Sequence, residues 1–95
     1  MSLEELVSKY ISSADPVLDE IEVAETCPNI DVNGVKKVLE FAEAYLEDAK
    51  YYRNKKKFEV SLASVAYCEG LLDALKLLGA VKFEWPVRKE GKSER

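Results

Sequence analysis

Residues 64–79 read SVAYCEGLLDALKLLG, an apolar stretch that contains Glu69, Gly70 and Asp73. Apolar side chains recur there on nearly every side of a helical repeat, and the two acids share one face. A helix that is apolar nearly all round is one that other elements cover on most sides. The stretch therefore predicts a largely covered helix with Gly79 as its C-terminal cap.

The whole of this helix is predicted over residues 57–78, with apolar residues on two of its sides. The first side contains Val60, Ser64, Tyr67, Leu71, Ala74, Leu75 and Leu78. The second side contains Phe58, Leu62, Val65, Ala66 and Leu77. Because a three-helix bundle shields about half of each helix, the apolar surface exceeds what the bundle itself can bury.

Ala66, Gly70 and Ala74 are spaced four residues apart and form a ridge of small side chains on the same helix. Gly in the centre of a helix costs about 1 kcal/mol relative to Ala. A Gly at this place therefore indicates that another element approaches closely. We expect that element to be a helix of the same chain or the tail that contains Trp85.

Two amphipathic helices precede this one. Residues 2–25 carry an apolar stripe that keeps its phase across Pro16, which favours one kinked helix over a stop and a new start at Asp15. Residues 32–54 repeat apolar side chains with the 3,4 spacing of a coiled coil, and small residues at 42 and 49 allow a neighbouring helix to come close. The pattern predicts an all-α, up-down-up three-helix bundle.

The C-terminal segment changes to a two-residue repeat, with Val81, Phe83, Trp85 and Val87 on one edge. The sequence shows no other strand to pair with this extended tail. The tail is therefore expected to lie along the helices, to pair with another molecule, or to stay loose. Residues 1–88 form the one predicted domain, and residues 89–95 are predicted to be disordered.

The chain contains no His, which excludes His-based general acids and bases, Ser-His and Cys-His pairs, and His metal ligands. Its four Gly residues are scattered and form no phosphate-binding loop. We therefore expect no enzyme, no catalytic residue and no cofactor. Glu69 and Asp73 are weak candidates for a divalent-metal site. The favoured interpretation is that Glu69 and Asp73 bond to Lys76, to a Tyr hydroxyl or to the basic turn and set the helix register.

The formal net charge of −4 is unevenly distributed, because residues 1–50 hold four bases and twelve acids. This argues against general nucleic-acid binding, and the basic cluster at residues 53–57 predicts a charged turn. No uncharged run approaches the about 20 residues of a membrane-spanning helix, and the N-terminus lacks the bases of a signal peptide. We expect a cytoplasmic protein without a membrane partner, in which Cys27 and Cys68 are separate free thiols.

Residues 44–79, AYLEDAKYYRNKKKFEVSLASVAYCEGLLDALKLLG, resemble the archaeal domain-of-unknown-function family 357. The matching features are the pair Ala44 and Tyr45, the DAKYY run, Phe58 after a charged turn, and VAYCEGLLDALKLLG. The resemblance implies a compact three-helix archaeal protein with no established activity and no catalytic residue to carry over, which in some relatives is attached to a nucleotidyltransferase-like domain. The chain departs from the family pattern in Pro16 and in the Gly-free turn RNKKKF.

Two functions from different classes follow. The first is a non-catalytic interaction module that self-associates, or docks on a larger protein, through the third helix and the tail. Its interface candidates are Phe58, Leu62, Val65, Ala66, Gly70, Leu77, Phe83 and Trp85. The alternative is a small-molecule or divalent-metal-binding accessory domain for a nucleotide enzyme, centred on Glu69 and Asp73.

Overall fold

The computed structural model describes residues 1–24 and 30–86 of the chain. Within these residues, three helices form a bundle: α1 (Leu3–Glu20), α2 (Val32–Asn54) and α3 (Phe58–Leu77). α2 and α3 pack together most extensively, and α1 lies against both. The predicted all-α three-helix bundle is confirmed.

α1 starts with a reciprocal cap and continues through Pro16. The Ser2 hydroxyl accepts a hydrogen bond from the Glu5 backbone N–H at 3.1 Å, and the Glu5 carboxylate accepts one from the Ser2 N–H at 2.9 Å. Pro16 lies on the exposed side of the helix, as its position outside the apolar stripe predicts. Asp15, the residue before Pro16, accepts a hydrogen bond from Lys50 at 3.1 Å, which ties α1 to α2 and raises the pKa of Lys50.

The predicted end of the first helix at residue 25 was wrong, because α1 ends at Glu20 and the chain becomes extended. β1 (Glu22–Val23) pairs antiparallel with β2 (Val81–Lys82), with Val23 opposite Val81. The expectation that the tail has no strand to pair with was also wrong. A strand of two residues is too short to show a two-residue alternation, so the sequence carries no periodic sign of β1.

Two helix ends share one hydrogen-bonding motif. At the end of α3, Gly79 has a φ of 77°, and the Ala80 N–H reaches back to the Leu75 carbonyl at 2.9 Å. At the end of α2, Lys56 has a φ of 63°, and the Lys57 N–H reaches back to the Tyr52 carbonyl at 2.8 Å. Both are Schellman caps. The predicted cap at Gly79 is confirmed, and the Gly-free turn uses a Lys in the conformation that Gly adopts most easily.

α2 and α3 approach closely at Ala49 and Ser61. Ala42 and Ala49 are fully buried, as is Ser61, whose hydroxyl donates a hydrogen bond to the Ala49 carbonyl at 2.6 Å. The small positions predicted in α2 therefore do face a neighbouring helix. The surrounding core consists of Val7, Ile11, Ala14, Val17, Leu46, Val65, Cys68 and Leu72.

Some expectations fall on residues that the structure does not describe. Cys27, Val87 and the tail from residue 89 onward lie outside the described residues, so the predicted free thiol at Cys27 and the predicted disorder of the tail stay predictions. Within residues 1–24 and 30–86, no helix combines the length and the apolar character needed to cross a membrane.

Candidate functional site

The side of α3 that points away from the bundle is almost uncharged. The side facing the bundle consists of the buried residues Ser61, Val65, Cys68, Leu72 and Leu75. The opposite side, which we call the outer face of α3, is exposed along the whole helix. Its residues are Glu59, Val60, Ala63, Ala66, Tyr67, Gly70, Ala74 and Leu77.

Only Glu59 among these eight described residues carries a charge, although the solvent side of a bundle helix is ordinarily polar. Leu77 is 87% exposed, Tyr67 53% and Val60 46%. The solvent side of α2 in the same molecule follows the ordinary pattern, with exposed acids such as Glu43 and Glu47. The outer face of α3 is therefore an apolar surface that the bundle leaves uncovered.

Gly70 lies in the middle of this outer face. A Cβ built on Gly70 meets no heavy atom within 4 Å in the part of the chain that the structure describes. The expectation that a helix or the tail of the same chain approaches closely at Gly70 was therefore wrong. Its neighbours Ala66 and Ala74 are exposed as well. Packing among residues 1–24 and 30–86 does not explain why small residues occupy this ridge.

The apolar surface continues from α3 onto α2. The rings of Tyr67 and Tyr45 meet edge to face with their centroids 4.4 Å apart. Phe41, one turn before Tyr45 on the same side of α2, is 56% exposed. The two helices therefore present aromatic side chains next to the outer face of α3.

On its other flank, the outer face of α3 borders an open groove of about 430 Å³ between α1 and α3. Both acidic candidates of the sequence contribute to its lining, together with apolar and small residues. The lining consists of Leu6, Tyr10, Leu62, Ala66, Glu69, Gly70 and Asp73. The groove thus combines apolar and small lining residues with two acids.

Asp73 holds the C-terminal segment. The indole N–H of Trp85 donates a hydrogen bond to the Asp73 carboxylate at 2.7 Å. The Trp85 ring meets Phe83 edge to face at 5.0 Å, and the Lys76 ammonium lies 4.9 Å from the Phe83 ring centre. The expected partners of Asp73 were a Lys, a Tyr or the basic turn, so the residue type was wrong, while the structural role of the acid fits the expectation. Within the described ranges 1–24 and 30–86, no cluster of three or more His, Cys, Asp or Glu side chains could hold a metal ion.

The family model described as "Protein of unknown function (DUF357)" matches residues 9–81. The chain belongs to this family. The match confirms the family resemblance of residues 44–79 and extends it to most of α1. Both the outer face of α3 and most of the groove of this DUF357 chain lie inside the matched region. Searches among curated proteins and among solved structures found no match.

The structure divides the interface candidates of this DUF357 chain into three groups. Val65 is fully buried in the chain's own core, so it is a core residue and not an interface residue. Phe58, Leu62, Phe83 and Trp85 are partly buried and pack against that core. Ala66, Gly70 and Leu77 are exposed on the outer face of α3.

The sequence interpretation missed four residues of the outer face as interface candidates: Val60, Ala63, Tyr67 and Ala74. It had grouped three of them, Val60, Tyr67 and Ala74, with Leu75, which the structure places in the core. The sequence does contain a signal for these residues, which is the strict 3,4 spacing that runs from Val60 through Tyr67 to Leu77 and excludes the core residues. A second row of residues with this spacing is typical of a helix that packs against helices on two sides.

Cys68 is the buried thiol of the site region. Burial, and secondarily the negative charge of Glu69, raises the pKa of Cys68 to about 12. Cys68 is free and fully covered by the core. A thiol of this kind is protonated at neutral pH and behaves as a small apolar core residue.

Proposed function

We propose that this DUF357 protein is a non-catalytic interaction module that binds another protein surface through the outer face of α3. The observation that carries this proposal is the single charge among the eight exposed residues of that face. Exposed apolar patches of this continuity are typical of protein interaction sites. The aromatic side chains of Phe41 and Tyr67 add the residue types that interfaces favour.

The free energy of covering exposed apolar side chains favours the binding of a partner to this face. Covering a Val, Leu or aromatic side chain completely contributes about 1.5–3 kcal/mol each. Val60, Tyr67 and Leu77 are each about half exposed or more, so a partner gains several kcal/mol by covering them. That gain offsets part of the loss of translational and rotational freedom on association.

The non-catalytic character is supported by the chemistry of the described polar groups. The chain has no His, and the Cys68 thiol is buried with a raised pKa. The Asp73 carboxylate serves as the acceptor for Trp85. We include in this proposal the cytoplasmic location expected from the sequence, where a thiol such as Cys68 stays reduced.

Photo-crosslinking in the native cell tests this function. A benzophenone amino acid replaces Ala74 on the outer face, and in a matched control it replaces Ala44, an exposed Ala of α2. We expect a defined crosslinked product from position 74 and none from position 44. Equal yields at both positions, or no product at position 74, would contradict an interaction surface on α3.

A second candidate function is a small-molecule or divalent-metal-binding accessory domain for a nucleotide enzyme. The observation in its favour is the groove of about 430 Å³ whose lining includes both Glu69 and Asp73. Its support is weaker because Asp73 already bonds to Trp85.

A thermal-shift screen with Mg²⁺, Mn²⁺ and nucleoside triphosphates separates the two functions. A binding groove predicts a higher melting temperature in the wild type, a loss of that shift in Glu69→Ala, and its retention in Glu43→Ala on the solvent side of α2. If no compound stabilises the wild type, or if Glu69→Ala is stabilised equally, the groove is not the binding site.

A further inference from the structure

We infer that the partner of the outer face is a second copy of this chain, whose α3 packs antiparallel against α3 about a twofold axis between residues 68 and 69. This inference rests on the proposed function of the outer face and names its partner. It is carried by the order of large and small side chains, by the position of the one charge, and by the area available.

The outer face contains a seam with the strict 3,4 spacing of helices that pack side by side. All of its members are exposed, so the seam is separate from the core of the bundle. The seam consists of Val60, Ala63, Tyr67, Gly70, Ala74 and Leu77.

The seam is complementary to itself when it is reversed. In an antiparallel pair with this axis, Tyr67 faces Gly70 of the second copy, so the largest side chain of the seam meets the smallest. In the next layer outward, Ala63 faces Ala74, and the two helices can come close. Val60 and Leu77 pair at the two ends. This layer order matches that of antiparallel coiled coils, in which a and d positions face each other.

The same pairing accounts for Gly70. Gly weakens a helix relative to Ala, and no described atom of the chain occupies the space that its Cβ would take. The Tyr67 ring of the second copy fills that space. In a parallel pair, Tyr67 would face Tyr67 and Gly70 would face Gly70, which crowds one layer and leaves a gap in the other.

The single charge of the outer face favours the same orientation. Glu59 lies at the first turn of α3, so in an antiparallel pair the two copies of Glu59 lie opposite residue 78 of each other's chain. At about 1.5 Å per residue, they are about 28 Å apart, beyond the Debye length of about 8 Å at physiological salt. A parallel pair would bring the two carboxylates together.

The area predicts a weak dimer. α3 has 20 residues, which corresponds to a helix about 30 Å long and about 10 Å wide. The half of the cylinder surface that faces the second copy has an area of about 450 Å². Two copies therefore bury about 900 Å² in total, which is below the about 1,200 Å² of standard specific interfaces. The dimer is therefore reversible and depends on concentration.

Sedimentation equilibrium of the full chain from about 10 µM to about 1 mM tests the dimer. We expect the weight-average mass to rise from 10.7 kDa toward twice that value. Ala74→Glu places a charge in the seam and should weaken association at least about tenfold, whereas Ala44→Glu on α2 should leave it unchanged. Circular dichroism verifies that both variants fold. A wild-type chain that stays monomeric at about 1 mM overturns the inference, as does equal weakening by both variants.

Disulfide crosslinking tests the orientation in a Cys27→Ser background. Ala63→Cys together with Ala74→Cys should give a covalent dimer under mild oxidation, because the two positions face each other across the axis. Each single substitution should give none, because in an antiparallel pair its two copies lie about 16 Å apart. Efficient crosslinking of the single variants would overturn the antiparallel arrangement.

The outcomes separate this inference from the proposed function. If a crosslinker at position 74 captures a different protein in cells while the purified chain stays monomeric, the self-pairing is overturned and the interaction surface stands. If neither experiment yields a product, both are overturned.

Discussion

Lys56 has a backbone conformation that a residue with a Cβ adopts only at a cost. Its φ of 63° closes the cap of α2, the position that Gly79 fills in α3. The left-handed conformation costs a non-Gly residue about 1–2 kcal/mol in the folded state, and Gly avoids this cost. Part of the gain is cancelled because Gly has more conformational freedom in the unfolded chain, which stabilises the unfolded state. We expect Lys56→Gly to raise the free energy of unfolding by up to about 1 kcal/mol in urea denaturation.

Lys56→Ala is the matched control, because it removes the same charge and keeps a Cβ. It should be no more stable than the wild type. If the Ala and Gly variants were equally stabilised, the gain would come from the lost charge in the basic turn and not from the backbone.

Cys68 gives the chain a dependence of stability on pH. Its folded-state pKa is raised from 9.0 to about 12, so the thiol ionises in the unfolded chain first. The protonated Cys68 thiol therefore contributes fully to the free energy of unfolding below pH 9. As the pH rises from 9 toward 12, the free energy of unfolding falls by up to about 1.4 kcal/mol per pH unit. Urea denaturation at pH 8 and pH 10.5 should show a smaller loss in Cys68→Ala than in the wild type. Identical losses in the two chains would show that Cys68 does not contribute.

At the scale of elements, the hydrogen bond between Trp85 and Asp73 joins the tail to α3, beside the contacts of Lys76 with Phe83 and Glu84. Trp85 is the only Trp of the chain, so intrinsic fluorescence reports directly on the position of the tail. Asp73→Ala removes the acceptor of the indole N–H, and we expect the Trp85 emission to move to longer wavelength and the free energy of unfolding to fall by about 1–2 kcal/mol.

Asp73→Asn keeps an oxygen acceptor at the same place and should move the emission much less than Asp73→Ala. Glu84→Ala is a second control, since Glu84 lies in the same segment but is largely exposed, at 3.7 Å from Lys76. An unchanged emission spectrum in Asp73→Ala would mean that other contacts hold the tail.

The elements also mark how far the sequence determines the fold. The 3,4 spacing of α2 predicts both its bounds and its small positions, and Ala42 and Ala49 are fully buried in the structure. The sequence does not reveal which side of α3 enters the core, because both sides are apolar. The buried side contains Ser61, whose hydroxyl group donates a hydrogen bond to the Ala49 carbonyl, and hydropathy alone does not predict such a contact.

The candidate site could be predicted only in part, because hydropathy alone does not identify the exposed side of α3. Surplus apolar surface on α3 is visible in the composition of the helix, and the exposed positions Ala66, Gly70 and Leu77 were among the predicted interface residues. Val65 was misplaced because a side chain near the boundary of two faces changes role with a small rotation of the helix. The contact of Trp85 with Asp73 joins an extended segment to a helix 12 residues earlier, which no local pattern encodes.

At the scale of the whole molecule, charge and apolar surface act in opposite directions on self-association. Each chain has a net charge of −4, so two copies repel each other at low salt, while the outer face of α3 brings almost no charge into the interface. Added salt screens the repulsion and does not weaken apolar contacts. We therefore expect the dimer of the wild type to become tighter as NaCl rises from about 0.05 M to about 1 M. Sedimentation equilibrium at both salt concentrations measures the change in the dissociation constant. A dimer that weakens about tenfold over this range would be held by ion pairs at another surface, because the seam of α3 offers none.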